Sequence, residues 1–391
     1  MRYDERMDAT CAIIAIDSLK RNIRAVRERV GGQRGICLPV KADAYGHGAA
    51  AIAAAALEAG VDCLGVARVQ EGLELRNSGI AAPILVFSLP LVEELSLAIR
   101  HGLIPFLGDR EFAEIAAGEA AQAGLPLRVH LKIDTGMSRG GCRPEEAPDL
   151  AAYVAAQPFL ELAGSATHLA VSDSAAPADR AFTALQLTRF QEAVTQIRRR
   201  GIDPGILHAA NSGGILYHPD SWLDMVRPGI LIYGYPPADY APEADELGGI
   251  AVEPIMELQT QIIAIKQIKK GDTVSYGRTW TAQEDTVIGI IPVGYGDGLT
   301  RALSGRFSVL IRGKRYPLAG RICMDQSMVD LGSATDIPRW ERVTVFGRPG
   351  TGREAPYTAG DIAEILGTIP YEVCCGISKR VPRVYRDVEI P

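Results

Sequence analysis

The sequence predicts an α/β protein whose first part is an eight-stranded parallel (β/α)8 barrel and whose second part is a mainly-β domain. Between about residue 10 and residue 235, eight short β-like runs alternate with longer helical patterns, which implies parallel strands joined by right-handed crossovers. At this length a closed barrel is favoured over an open sheet, although periodicity alone leaves both open. After residue 246 the β-like runs are separated by turns. We therefore expect a barrel domain over residues 1–240 and a mainly-β domain over residues 241–391.

The barrel prediction depends on eight apolar runs. They are Ile36–Lys41, Asp62–Ala67, Pro83–Phe87, Leu103–Phe106, Leu127–Ile133, Glu161–His168, Ile206–Ala209 and Val226–Tyr233. Helical patterns between them include Ser18–Val30, Val69–Ser78 and Leu185–Arg200. Asp17 is the expected N-cap of the first helix and Gly31 its end, since these residue types favour those positions.

The second domain begins after a stretch of prolines and acids, Pro236–Glu246, which is typical of a linker. Its β-like runs are Gln259–Gln267, Thr273–Tyr276, Thr286–Val293, Phe307–Ile311, Arg315–Pro317, Ser327–Leu331 and Val343–Phe346. One helix, about Ala359–Leu366, follows them. The pattern therefore predicts a β-rich fold with a single late helix.

Composition narrows the class of protein. The 391 residues carry a net charge of −6, so no electrostatic feature favours a nucleic acid or an anionic membrane as partner. No apolar run is long enough to cross a bilayer, and Met1–Asp8 has no apolar core of the signal-peptide type. The seven scattered cysteines argue against a disulfide framework or a metal site. We expect a cytoplasmic protein that binds no metal.

The ends of the barrel strands carry the chemistry. Barrel enzymes place their catalytic groups at the C-terminal ends of the strands. The residues at that rim are Lys41, Arg139, His168, the loop Asn211–Gly214, Arg227 and Gly229. A lysine at the end of an apolar strand suits a Schiff base to an aldehyde cofactor. The Ser212 hydroxyl, with the amides of Gly213–Gly214 and Gly229–Ile230, could cradle a phosphate. Each feature alone is also typical of ordinary structure, and only their convergence on one rim points to a cofactor site.

The motifs that contain these residues resemble those of alanine racemases, the barrel class of pyridoxal-phosphate enzymes. In chain order they are Val40–Gly48, Leu131–Arg139, Thr167–His168, Asn211–Ser212, Val226–Ile230, Val274–Gly277, Gly294–Gly298, Gly320–Asp325 and Tyr371–Val373. The resemblance spans nearly the whole chain and both predicted domains. It implies the interconversion of L-alanine and D-alanine on pyridoxal 5'-phosphate.

The resemblance assigns two residues to proton transfer. Lys41 holds the cofactor and serves one face of the substrate, that of D-alanine, while Tyr276 serves the L-alanine face. Tyr276 belongs to the second domain and the cofactor sits on the barrel. The family pattern therefore implies a homodimer in which the second domain of one subunit completes the barrel site of the other.

Further residues receive supporting roles from the same resemblance. Cofactor-binding positions are Tyr45, His168, Asn211, Ser212, Arg227, Gly229, Ile230 and Tyr371. Arg139 and Met324 contact the substrate carboxylate, and Tyr295 and Asp325 lie at the site and its entrance. Lys132 is either a plain amine or the carbamate that many relatives carry there.

A hydrogen-bonded network also follows from the resemblance. It runs from Tyr276 through His168 to Arg227 and on to the pyridine nitrogen, and the neighbouring cation should keep His168 neutral. Because arginine does not give up its proton, Arg227 leaves the pyridine nitrogen unprotonated and limits transamination. The other histidines, His130 and His208 among them, receive no catalytic role.

Three alternatives stay open. A racemase of a larger amino acid, such as serine, lysine or arginine, would look similar. A related decarboxylase or aldolase is disfavoured by the motifs around Tyr276 and Gly320–Asp325. A non-catalytic pyridoxal-phosphate carrier would have no use for the second domain with Tyr276. If the resemblance holds, the expected biological role is the supply of D-alanine for peptidoglycan.

Overall fold

The computed structural model describes residues 9–237, 250–333, 335–348 and 354–386. The chain divides into two units. The barrel unit comprises Leu19–Ala44 and Ala49–Val252, and the β unit comprises Met1–Ser18, Tyr45–Gly48 and Glu253–Pro391. The predicted linker Pro236–Glu246 lies outside the described residues from residue 238 onward.

The first strand and the first helix follow one another without a loop. Strand β1, Cys11–Ala15, is buried along its whole length, and helix α1, Ile16–Val30, begins at the next residue. Asp17 was predicted to cap this helix from outside, and this is wrong. It lies in the first turn, where its carboxylate still interacts favourably with the helix dipole. Gly31 follows the last helical residue with φ 85°, as expected for a glycine that ends a helix.

Eight parallel strands form the barrel, which confirms the predicted fold class. They are β2 (Gly35–Pro39), β3 (Cys63–Val66), β4 (Ile84–Val86), β5 (Leu103–Leu107), β6 (Leu127–Lys132), β7 (Leu160–Ala166), β8 (Ile206–His208) and β9 (Met225–Val226). Their order in the sheet is β8-β7-β6-β5-β4-β3-β2-β9. Backbone bonds from Asp224 to Leu207 (3.0 Å) and from Arg227 to Ala210 (2.9 Å) join the two ends of the sheet.

Helices lie between successive strands. They are α2 (Lys41–Gly46), α3 (Ala49–Glu58), α4 (Val69–Asn77), α5 (Leu95–Arg100), α6 (Arg110–Ala123), α7 (Ala147–Ala156), α8 (Pro177–Arg199) and α9 (Ser212–Tyr217). Side chains alternate along β6: Leu127, Val129 and Leu131 pack against the surrounding helices. His130 takes the opposite face, and its ring contacts those of Phe106 and His208. The alternation thus directs polar side chains of β6 into the barrel interior.

The last barrel strand is much shorter than predicted. Strand β9 ends at Val226, and the predicted continuation to Tyr233 is a turn closed by Ile232 N to Gly229 O (3.0 Å) and Tyr233 N to Ile230 O (3.0 Å). Pro228 has no amide to donate to a neighbouring strand. The amide of Gly229 is bound instead by the Ser212 hydroxyl at 3.0 Å.

The β unit contains three sheets. Its strands after β1 are β10 (Met256–Gln261), β11 (Ala264–Ile268), β12 (Thr273–Val274), β13 (Trp280–Thr281), β14 (Thr286–Ile291), β15 (Ser308–Ile311), β16 (Lys314–Pro317), β17 (Ser327–Gly332), β18 (Arg342–Phe346) and β19 (Arg383–Arg386). The sheet orders are β16-β15-β18-β10-β1-β19, β11-β14-β17 and β12-β13. The helices are α10 (Ala359–Leu366), as predicted, and α11 (Pro370–Cys375). A mainly-β second part is thereby confirmed.

Two predicted strands of this unit are wrong in extent. The run Gln259–Gln267 is split between β10 and β11, because the amides of Ile262 and Ile263 bond to different neighbours, Glu341 O and Ile290 O. The run Thr273–Tyr276 ends at Val274, because Ser275 takes a positive φ of 68°.

Within the described ranges, none of the helices has the length and the apolar character needed to span a membrane.

Candidate active site

Lys41 lies just past the C-terminal end of β2, at the start of a left-handed turn. The four residues after it, Ala42–Tyr45, all have φ between 52° and 54°. Left-handed helical turns cost about 1–2 kcal/mol per non-glycine residue, so four in succession need strong support from their surroundings. Strain of this kind clusters at functional sites.

Side-chain carboxylates supply part of that support. Glu71 accepts the Ala42 amide at 2.7 Å, and Asp43 accepts the Ala49 amide at 2.7 Å. Within the β unit, a Cβ on Gly46 would lie 2.3 Å from the carbonyl oxygen of Cys374, so only glycine fits where the turn ends. Side-chain hydrogen bonds and close packing therefore support the strained turn that follows Lys41.

Arg227, at the end of β9, is the most heavily bonded side chain at the rim. Only 5% of it is exposed. Its Nη2 donates to the carbonyls of Thr167 (2.7 Å) and Ala209 (2.9 Å) and faces His168 Nδ1 at 3.3 Å. Burial lowers the pKa of Arg227 to about 10, which leaves it a cation at neutral pH. These hydrogen bonds hold the guanidinium beside Nδ1 of the His168 ring.

A histidine pair extends this network into the barrel. Arg227 Nη1 lies 2.7 Å from His208 Nδ1, and His208 Nε2 lies 2.8 Å from His130 Nδ1. Arginine can only donate, so His208 must accept on Nδ1 and carry its proton on Nε2, which then donates to His130. Sequence reasoning gave these two histidines no role. Their positions on alternate strands, both facing inward, were the signal that could have paired them with Arg227.

His168 follows β7 and is surrounded by cations. Its pKa is held well below the ordinary value by burial and then by Lys132, Arg227, Arg139 and Lys41. The prediction that a neighbouring cation keeps His168 neutral is consistent with this environment. All four predicted cationic residues of the barrel unit therefore lie around one imidazole.

Lys132 is the last residue of β6, and its Nζ lies 5.6 Å from the centre of the Phe106 ring. Burial, and then the cations Arg227 and Arg139, lower its pKa well below the usual lysine value, while Asp134 opposes the shift. The basic side chains of Lys41, Lys132, Arg139 and Arg227 supply hydrogen-bond donors at the rim. Such donors fit anionic ligands such as a phosphate, a carboxylate or a carbamate.

The loop after β8 provides part of the predicted phosphate site. Ser212 Oγ accepts the amides of Gly229 (3.0 Å) and Leu231 (3.4 Å), which leaves its own proton to donate to an anion. The amide of Gly214 does not serve this purpose, because Asn211 Oδ1 accepts it at 3.0 Å as the N-cap of α9. The basic side chains at the rim and the Ser212 hydroxyl fit the phosphate and ring of pyridoxal phosphate.

Two further predicted cofactor residues meet in the β unit. The rings of Tyr45 and Tyr371 are 5.7 Å apart at a 55° angle. Burial, and then the neighbouring Tyr371, raise the pKa of the Tyr45 phenol, so it remains a hydrogen-bond donor. A protonated phenol suits a phosphate oxygen.

The remaining predicted residues gather on the surface of the β unit. Tyr276 is 72% exposed, Met324 54% and Tyr295 44%. Their loops are bonded together, since Ser275 Oγ donates to Arg321 O (2.6 Å) and Tyr295 N to Cys323 O (3.0 Å). Arg380 links the same loops by donating to Asp297 (2.7 Å) and Asp325 (2.9 Å). The β unit therefore presents several of the predicted site residues outward from loops that are hydrogen-bonded to one another.

Neutral buried histidines should make the barrel unit sensitive to acid. An unfolded histidine binds a proton below about pH 6.5, whereas burial lowers the pKa of His130 to about 3 and that of His208 well below its usual value. The unfolded chain then binds more protons. The free energy of unfolding should fall as pH drops below about 6.5, by up to ~1.4 kcal/mol per pH unit for each histidine.

Urea unfolding at a series of pH values checks this expectation. His208→Gln should show a smaller slope below pH ~6.5, because one titrating group is gone. His101→Gln, at an exposed position, should keep the wild-type slope. Equal slopes for wild type and His208→Gln would contradict the assignment.

The fold and the rim together define the class of barrel-type amino-acid racemases with a β-rich second part. The chain matches the alanine racemase N-terminal domain model over residues 14–237 and the alanine racemase C-terminal domain model over residues 255–385. It therefore belongs to the alanine racemase family.

Individual relatives agree with this assignment over nearly their full length. The alanine racemase of Treponema denticola is 47% identical over 98% of this chain and 100% of its own, and that of Treponema pallidum is 45% identical over 96% and 98%. Among solved structures, alanine racemase from Clostridium difficile 630 superposes with a TM-score of 0.91 at 36% identity, covering 98% of this chain and 97% of its own. A complex of the same enzyme with cycloserine has a TM-score of 0.88 at 34% identity, over 97% and 96%.

Proposed function

We propose that this chain is a pyridoxal-phosphate-dependent alanine racemase that interconverts L-alanine and D-alanine. The observation that carries the proposal is the cluster of Lys41, Lys132, Arg139 and Arg227 around His168 at the barrel rim. Such a cluster suits an anionic cofactor and the carboxylate of an amino acid. The motifs shared with the alanine racemase family support the choice of pyridoxal phosphate as cofactor and alanine as substrate.

Pyridoxal phosphate, when linked to Lys41, supplies the electron withdrawal that makes a Cα proton acidic. Arg227 would interact with the ring nitrogen and Ser212 would donate to the phosphate. Further members of the binding set would be Asn211, Gly229, Ile230, Tyr45 and Tyr371. Arg139, exposed and two-pronged, binds the substrate carboxylate. Met324 supports the same carboxylate, while Tyr295 and Asp325 narrow the entrance.

Two bases then work on opposite faces of Cα. The Lys41 amine takes the proton from D-alanine, and the Tyr276 phenolate takes it from L-alanine, each returning a proton on its own face. His168 and Arg227 stabilise the phenolate, because a neutral imidazole donates a hydrogen bond and the buried cation behind it polarises that imidazole.

We further propose a homodimer with shared sites. The domain of residues 1–240 binds the cofactor, and the domain of residues 241–391 completes the partner's site. Support comes from Tyr276, which is 72% exposed on its own unit although a catalytic base works best where water is excluded. A second copy of the chain would cover it.

The biological role follows from the product. We place the enzyme in the cytoplasm, where D-alanine is made for peptidoglycan. The seven cysteines are scattered along the chain, which is compatible with a reducing compartment.

The test is to incubate the cofactor-loaded protein with L-alanine or D-alanine in D2O, following optical activity and loss of the Cα proton together. Both enantiomers should reach the same racemic, deuterated endpoint. A panel of serine, lysine and arginine examines the larger-substrate alternative. A protein that binds cofactor but racemises nothing in the panel would be a carrier, and the proposal would be abandoned.

Lys132 is expected to react with CO2. A lysine whose pKa is well below the usual value has a large neutral fraction, and a neutral amine adds CO2 to give a carbamate and a proton. The new anion would balance Arg139 and orient it. We expect a carbamate resonance in the carbon NMR spectrum after addition of 13C-labelled bicarbonate.

Two variants control the carbamate measurement. Lys132→Ala should abolish the resonance, whereas Lys266→Ala, at an exposed strand position, should leave it intact. Lack of any carbamate resonance in the wild type at neutral pH would show that Lys132 is a plain amine.

A further inference from the structure

Ser275, the residue before Tyr276, has a backbone conformation that is rare for anything but glycine. Its φ is 68° and its ψ is 179°. This region is essentially reserved for glycine, and a residue with a Cβ stays there only when the surrounding structure over-determines it. A serine at such a position is therefore held in place at a cost.

Hydrogen bonding and close packing surround Ser275, whose Oγ also lies 3.5 Å from Cys323 Sγ. Its Oγ donates to the carbonyl of Arg321 at 2.6 Å. The backbone of Gly320 packs so closely that a Cβ there would lie 2.8 Å from Ser275 Cβ and 2.6 Å from Val274 O. Val274 itself is buried and pairs with Trp280 across β12 and β13. Ser275 therefore lies between the buried end of β12 at Val274 and the closely packed backbone of Gly320.

The same features define the backbone path of the loop of residues 275–279. The Val274–Trp280 pair closes it, and Gly277 (φ 73°) and Arg278 (φ 50°) add two more left-handed residues. The Tyr276 side chain is 72% exposed on its unit, so packing within that unit does little to orient it. The backbone on either side therefore sets the direction in which its Cα–Cβ bond leaves the loop.

We propose that Ser275 is a positioning residue, whose hydroxyl and strained backbone direct the Tyr276 phenol toward the Cα proton of L-alanine. The inference rests on the proposed function, because it presupposes that Tyr276 transfers that proton. Strain retained next to a catalytic group preorganises it, and a misplacement of about 1 Å can cost up to ~100-fold in rate.

Ser275→Ala and Ser275→Gly separate the strain from the hydrogen bond. Both remove the hydroxyl, but only glycine relieves the positive φ. In the cofactor-loaded enzyme, Ser275→Gly should unfold at a higher temperature than Ser275→Ala. It should nevertheless lose roughly 10- to 100-fold in kcat for L-alanine, with KM within about twofold of wild type.

Ser304 provides a matched control for the unfolding temperatures. Its Oγ also donates to an arginine carbonyl, that of Arg301, at 2.6 Å, but its φ is −56°. With no strain to relieve, glycine only adds freedom to the unfolded chain. Ser304→Gly should therefore unfold at a lower temperature than Ser304→Ala, the reverse of the order at Ser275.

Cα proton exchange in D2O separates a positioning role from a structural one. A structural defect would slow the exchange of both enantiomers alike. In Ser275→Gly, Cα exchange of L-alanine should fall with kcat, whereas D-alanine should still exchange through Lys41. A Ser275→Gly enzyme with wild-type kcat, an equal loss on both faces, or an alanine variant that unfolds later than the glycine variant would overturn the inference alone. A wild type that exchanges neither enantiomer would instead overturn the proposed function, and this inference with it.

Discussion

Replacing Lys41 with alanine should abolish racemisation and release the cofactor. In the proposed mechanism this amine both holds pyridoxal phosphate and moves one of the two protons. Its loss should lower kcat by at least ~10⁴, the upper end of what a positioned proton-transfer group contributes. The visible absorbance of the bound cofactor should disappear after desalting, because no covalent link remains.

Two controls accompany Lys41→Ala, one for correct folding and one for the specificity of the lysine substitution. Far-ultraviolet circular dichroism should match wild type, because Glu71 and Asp43 hold the left-handed turn through backbone amides that the substitution leaves in place. Lys266→Ala should keep both activity and absorbance. Retention of the bound cofactor and of more than a trace of activity in Lys41→Ala would place the catalytic lysine elsewhere.

Replacing Tyr276 with phenylalanine should be nearly as damaging but in a different way. Removing one acid–base group at fixed shape costs about 10²- to 10⁴-fold in rate. Cofactor absorbance should not change, since Lys41 is intact. D-alanine should still exchange its Cα proton in D2O without inversion, while L-alanine should exchange very slowly.

Tyr316→Phe is the matched control for the Tyr276 variant. It removes a phenol from a partly buried strand tyrosine of the same unit and should leave kcat unchanged. A Tyr276→Phe enzyme that keeps turnover within about tenfold of wild type would exclude tyrosine as the second base.

The sequence predicted the barrel well because each of its strands is marked by a short apolar run that can be recognised on its own. Each of the eight apolar runs contains part or all of one barrel strand, and a run such as Leu103–Phe106 needs no knowledge of distant residues to be recognised. Where the prediction failed, a distant partner decided the outcome. Val226–Tyr233 is apolar enough for a long strand, but Pro228 and the bond from Gly229 to Ser212 turn the chain instead.

The β unit shows the same limit. Strand β1 comes first in the chain, yet it pairs with β10 and β19, more than two hundred residues away. The run Gln259–Gln267 is continuous in composition but is shared between two sheets. Pairing partners at such separations leave no mark on local periodicity.

The site was predicted from sequence motifs, so residues whose role depends on three-dimensional geometry were missed. Lys41, His168 and Arg227 stand at strand ends, where barrel logic locates chemistry. His208 and His130 were passed over because a lone histidine in an apolar run is usually core. Only the structure shows that they accept and extend the Arg227 hydrogen bond. The strain at Ser275 is likewise invisible without backbone angles.

Mixing two inactive variants tests most directly whether one site uses residues of two chains. Lys41→Ala and Tyr276→Phe are each expected to be inactive, and their subunits are exchanged by reversible dissociation. In a shared-site dimer, each hybrid contains one site with both Lys41 and Tyr276. Random pairing should then restore about a quarter of wild-type activity. If activity stays at the level of the separate variants although hybrids form, Lys41 and Tyr276 of different subunits do not build one site.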